Sequence, residues 1–554
     1  MPQLPERVLC ETLKYADGSA RIVWRDYTRK EIVSQFYGPD KKLVAERPAT
    51  TAQLSVIERE LALFLARKQS AELKSVFGTK VSDAIPSDEM VPIVGERSDP
   101  LFGHRLVRFR FRNAKDDKKA DYVLVIVDLD AKKVVESSQS EGALEKDPQT
   151  TEGGGAPSAP GEVPQIDPPQ EQTVVQDFAV EFRRNETETI TTRTAWKIKF
   201  GVESHNGGSK VLCVKEAHYS RLFTNDNDNT NDGWLQILGD TRLAEINVPY
   251  NDGATEFYDI SNFNFGLQKL DARFDAGPSC VGPAPKVFFE CVMKEVHDAH
   301  TYSMDRGGRA IRGQQMDLWS VLAAANYSYI MRYSFHADGM VELNLGPTSH
   351  NLAFGAKQRQ DITTHLHIGC WRITPVLGDA SAVKLQEIKY ISTPATGARS
   401  KTEVLDFNGG REGGVEIVPR EYTAIRIESQ TQNSAHAPPS KVSYDLIPHG
   451  FGTARRFAAG SEWTQSDFWA TLPRTQSGEP ALEFKDLKDL AKDRRELKDS
   501  PIILWHHSSL IHRARDEDFG PAGANPSDGV ASANYSGLIL KPRNLHDASP
   551  FYKP

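Results

Sequence analysis

Apolar residues recur at helical spacing clearly in only one stretch near the start of the chain. In LSVIERELALFLARKQ, from Leu54, they fall three and four apart, which gathers them on one face of a helix. Short strand-like pieces, ARIVW and EIVSQFY, precede it. Two stronger strand signals follow, LVRFRFRNA and DYVLVIVDLDAKKVV, separated by the charged turn KDDKK. From about Ser137 to Pro169 the apolar pattern gives way to Gly, Pro, Ser and acidic residues, the composition of a linker. Beyond it WKIKFGVES, KVLCVKEAHY, WLQILG, KVFFECVMKEV, YSYIMRYSF, MVELNLG, HLHIGCWRI, KLQEIKYI, VEIVP and YTAIRIES all read as strands. Only 483–498 looks helical there, and it is charged enough to lie on a surface. So much strand signal without βαβ alternation predicts a mainly β protein dominated by a large antiparallel β-sandwich. The predicted division is an N-terminal extension or partial domain over 1–50, a small α+β domain over 51–145, a Pro/Gly-rich linker over 146–190, and the sandwich over 191–554.

Composition narrows the partners. The 554 residues carry 67 basic and 75 acidic side chains, a formal net charge of -8, which gives no support to a nucleic-acid binder. No apolar run is long enough to span a membrane. MPQLPERVLCETLKYADG has no apolar core of the signal-peptide kind, so a cytoplasmic protein is expected. Five cysteines do not make a disulfide scaffold, and Cys280 with Cys291 is the one close pair. Asn185, Asn326 and Asn534 fit the glycosylation pattern, which a cytoplasmic chain would not use. The acidic run from Asp226 to Asp232 reads as a loop, without the closing glutamate of a calcium hand.

The sharpest chemical feature is THLHIGCW. His365 and His367 are two apart in a strand-like run, so both imidazoles point to one face and can converge on a metal. The competing reading is a histidine pair packed in a half-buried sheet. A third donor should come from IILWHHSSLIHRARDEDF, which holds His506, His507 and His512. Imidazole suits copper, zinc, iron and nickel alike.

From about Trp196 to Pro550 these and other motifs stand in the order found in the copper/topaquinone amine oxidases, and the region resembles that family's catalytic domain. RLAEINVPYNDG is similar to the family's VPY entry stretch, and AANYSYIMRYSFHADGMVELNLG to the segment whose tyrosine becomes the quinone. THLHIGCWRI resembles the copper His-x-His pair, LIHRARDEDF the third-histidine segment, and SGLILKPRNLHDASPFY the closing signature. The resemblance implies His365, His367 and His512 as copper ligands, with His506 and His507 off the ligand position. It implies Tyr327 as topaquinone precursor, Asn326 as its preceding asparagine, and Tyr250 as the tyrosine that hydrogen-bonds the quinone oxygen. It also implies a homodimer with exchanged arms.

Several positions depart from the family. Its proton-accepting aspartate stands fourteen residues after the VPY tyrosine in an aromatic-Asp-x-Gly stretch; that count here reaches Asn264. An amide cannot take that proton at ordinary pH, and losing a positioned base costs about 100- to 10,000-fold. Arg273-Phe274-Asp275-Ala276-Gly277 repeats the motif's letters and offers Asp275 as a substitute. Asp252, Glu256 and Asp259 are other carboxylates nearby. Asn262 replaces an aromatic gate, Ser328 an acidic residue, and Thr374 a carboxylate of a peripheral calcium site, so calcium is not expected.

The expected function is an atypical copper/quinone oxidoreductase that uses dioxygen on a specialised primary amine or related nitrogenous substrate and releases hydrogen peroxide. The alternatives are a copper oxidase without topaquinone, or a non-catalytic copper-binding subunit on a degenerate scaffold.

Overall fold

The computed structural model describes residues 4–14, 19–49, 52, 54–90, 100–101, 103–114, 119–143, 170–183, 189–204, 209–222, 233–249, 256–261, 265–277, 283–304, 310–324, 327–349, 364–393, 399–418, 423–434, 438–450, 462–473, 487–513, 515, 518 and 531–546. Arg7–Lys14, Ala20–Asp26, Glu31–Tyr37 and Leu43–Ala49 form a four-stranded antiparallel sheet within the segment expected to be only an extension or partial domain. The anticipated helix spans Val56–Gln69. Ser55 caps it, and Glu58 closes a capping box from the third helical position. Its apolar face, with Leu61 and Leu65, packs on Phe109, Phe111 and Val125 of a second four-stranded sheet.

The strand pattern of the remainder resolves into two ten-stranded antiparallel sheets. The first contains, side by side, Phe468–Thr471, Ile503–His512, His365–Ile373 and Thr241–Pro249. The second centres on Ala310–Ala324, Tyr327–His336, Val341–Ser349 and Ser536–Arg543. Their inner faces share one core, in which Trp196, Leu243, Ile246 and Trp371 meet Tyr333, Phe335, Leu343 and Leu538. Gly369 keeps the sheets close, since a Cβ there would come within 2.7 Å of Leu345.

Four segments differ from the sequence pattern. DYVLVIVDLDAKKVV and KVFFECVMKEV each read as one strand but contain a turn, at Lys132 and at Phe289–Glu290, where φ is positive. The expected linker over 146–190 includes the strand Gln170–Arg183, paired along its length with Thr189–Ser204; residues 144–169 lie outside the described residues. Of the expected 483–498 helix, Leu487–Leu490 is helical and Ala491–Asp493 forms a further turn, while 483–486 lie outside the described residues.

Candidate metal centre and active site

Strand alternation gathers the site. His365 and His367 share the face that looks into the sandwich, and His365 lies directly opposite His512 in the ladder. One nitrogen from each of the three buried imidazoles lies within 4.8 Å of the others. Tyr327 comes down on them from the facing sheet. Its ring centroid is 4.8 Å from that of His367 and 5.3 Å from that of His365, and its hydroxyl is 2.6 Å from Nδ1 of His512.

Hydrogen bonding prepares these nitrogens for a metal. Nε2 of His512 is 3.0 Å from the Asp518 carboxylate, which Arg515 holds through its side chain and backbone N–H. A carboxylate only accepts, so Nε2 carries the proton and Nδ1 keeps its lone pair. Burial, reinforced by His365 and His512, pushes the His367 pKa well below the ordinary value and keeps the ring neutral, the form that binds metals. Nε2 of His367 is buried and has no hydrogen-bond partner among the described residues. Neutral imidazoles around a phenol oxygen suit copper, and ligand type alone also admits zinc.

The site also holds a carboxyl to which the sequence reading gave no positional claim. Asp259 follows the short strand Glu256–Tyr258, and its backbone N–H bonds the Ile246 carbonyl. The buried Glu245 carboxylate accepts from the backbone N–H groups of Ile260 and Ser261 and holds the segment in place. Alternation turns Asp259 inward, where the Tyr329 hydroxyl donates to its Oδ2 at 2.5 Å. The Tyr329 ring lies 5.7 Å from that of Tyr327 and 5.4 Å from that of His367, centroid to centroid. Burial raises the Asp259 pKa to about 7; the Tyr329 hydrogen bond works against that rise, and the Glu245 charge adds to it. A signal for Asp259 was available: Tyr258-Asp259-Ile260-Ser261 is an aromatic-Asp stretch with serine in place of glycine, nine residues beyond Tyr250. A strict count of fourteen passes over it to Asn264.

The other candidates fare differently. Tyr250, Asn262, Asn264 and Asn326 lie outside the described residues. Asp275 is not brought to the imidazoles: it is exposed, and its Oδ2 accepts from the backbone N–H of Asp271 within its own turn. That local bond ties its carboxylate to the turn rather than to the site. Ser328 points to the opposite face from Tyr327 and accepts from the Gln268 amide. His506 and His507 lie outside the three-imidazole cluster.

Residues 287–553 match the family described as copper amine oxidase, enzyme domain. That half of the chain is similar to a copper amine oxidase enzyme domain. All three histidines and Tyr327 fall within that match, whereas Asp259 precedes it. Copper amine oxidase 1 of Aspergillus niger is 22% identical over 374 residues, 57% of this chain and 53% of that protein. Copper amine oxidase 1 of Schizosaccharomyces pombe is 22% identical over 285 residues, 43% of this chain and 37% of that protein. The chain therefore spans about half or less of the length of these two curated relatives. Among solved structures, a copper-containing benzylamine oxidase from Hansenula polymorpha superimposes with a TM-score of 0.57 at 14% identity, covering 96% of this chain and 89% of that one. A lysyl oxidase from Pichia pastoris gives 0.53 at 12% identity, covering 96% and 82%. These likenesses show that the chain shares their β-sandwich fold.

Proposed function

We propose that the protein is a copper-dependent primary-amine oxidase in which Tyr327 is the topaquinone precursor and Asp259 the proton acceptor. The observation that carries this reading is the Tyr327 hydroxyl set against His512 Nδ1 amid the three imidazoles. His365, His367 and His512 would hold copper. Copper and topaquinone together supply the oxidation of an amine to an aldehyde by dioxygen, with release of ammonia and hydrogen peroxide.

The chain's own residues provide the proton chemistry. Asp259, with its pKa near 7, exists near neutrality in both the form that takes the substrate α-proton and the form that holds it. Tyr329 orients that carboxylate through its donated hydrogen bond. Burial of the pair keeps water away and strengthens the interaction. With this carboxylate beside Tyr329, Asn264 need not act as a base, and an ordinary primary amine is a sufficient substrate. A cytoplasmic homodimer is part of the same proposal, and light scattering of the purified protein would test the dimer.

The deciding experiment is an absorption spectrum of copper-loaded, oxygen-exposed protein before and after phenylhydrazine. The expected result is a broad visible band that shifts when the hydrazine adds. A colourless, unreactive protein holding one copper per chain would overturn the quinone reading in favour of copper–oxygen chemistry or a binding role.

A further inference from the structure

Tyr329 makes two polar contacts that join separate parts of the site. Its hydroxyl donates to Asp259 Oδ2 at 2.5 Å, and the same oxygen lies 3.3 Å from Nδ1 of His367. Tyr329, Asp259 and His367 are all buried, so bulk water does not compete for these contacts. A phenol has a single proton. Once that proton is given to Asp259, the oxygen meets Nδ1 of His367 as an acceptor. Nδ1 then carries the imidazole proton, and Nε2, buried and without a hydrogen-bond partner among the described residues, keeps its lone pair.

We propose that Tyr329 is a positioning residue that couples the Asp259 carboxylate to the metal site by fixing the His367 tautomer that presents Nε2 to copper. This rests on the amine-oxidase reading for the identities of metal and base, and it adds a physical link between them. Asp518 stands in the same relation to His512, so each of these two ligands is aimed by a carboxylate, one directly and one through a phenol.

The test uses the full chain stripped of metal and titrated with Cu(II), read by affinity and by the electron paramagnetic resonance hyperfine splitting. Tyr329→Phe is expected to weaken copper binding by about 10- to 100-fold and to change the splitting. Tyr333→Phe is the control. It removes another buried hydroxyl from the same strand, one bonded to the carbonyls of Leu212 and Thr241, and should leave both readouts unchanged. Wild-type affinity and splitting in Tyr329→Phe would overturn the proposal. Nitrogen-15 NMR of histidine-labelled, metal-free wild type provides a check that needs no folded variant. A proton on Nδ1 of His367 is expected, and a proton on Nε2 would overturn the assignment. Failure of the parent reading looks different, since copper would bind with a Tyr329-dependent affinity while no quinone formed.

Discussion

His512 and His506 lie on one strand and share its inward face, yet among the described residues only His512 joins His365 and His367 in the three-imidazole cluster. They lie six positions apart, about 20 Å along an extended chain. His512 sits opposite His365, beneath Tyr327, with a carboxylate behind its ring. His506 sits opposite Trp371, stacks on Phe468 and turns Nδ1 to the Asp467 carbonyl. Burial, with help from His507, pushes its pKa down to about 3. Next to it His507 faces outward, toward Asp467 and Trp463. An imidazole becomes a candidate ligand where ladder register brings others alongside and a neighbouring carboxylate leaves a lone pair free. Elsewhere the same side chain is core.

The largest effect should come from exchanging the two fates. His512→Ala is expected to abolish copper loading, and His506→Ala to leave copper stoichiometry unchanged while costing about 1–3 kcal/mol of stability for the lost buried packing and hydrogen bond. Metal analysis beside thermal unfolding checks both, and full copper in His512→Ala would reject the ligand set.

The two aspartates sharpen the same lesson. Asp259→Asn should lower amine turnover by about 100- to 10,000-fold with copper retained, whereas Asp275→Asn should leave turnover unchanged. A base works deprotonated, so wild-type turnover should rise as pH increases through about 7 and fall off below it, where the carboxyl holds its proton. A rate independent of pH between 5 and 9 would remove Asp259 from this role.

A smaller effect is expected at the carboxylate behind the His512 ring. Asp518→Asn should weaken copper binding by about 10- to 100-fold, because an amide no longer dictates which His512 nitrogen carries the proton. Competition with a chelator of known affinity would measure it.

The sandwich and the His365/His367 pair were legible because both depend on periodicity and short spacing. A histidine two residues from another in a strand must share its face, and alternating apolar runs must pair to bury one side. Asp259 was only partly legible, since a count of fourteen from Tyr250 assumes a fixed loop length and passes over it to Asn264. The turns at Lys132 and Phe289–Glu290 escaped because apolar residues continue through them.

The sequence by itself determined the sheets and the histidine pair, since alternation and residue chemistry are local properties, and it offered Tyr327 through its resemblance to a family. Only the tertiary structure decided that His512 rather than His506 meets His365, and that Asp259 rather than Asp275 reaches a tyrosine beside the imidazoles. Those choices depend on ladder register and on one sheet closing over the other. Both are set by burial of the whole core rather than by any single segment.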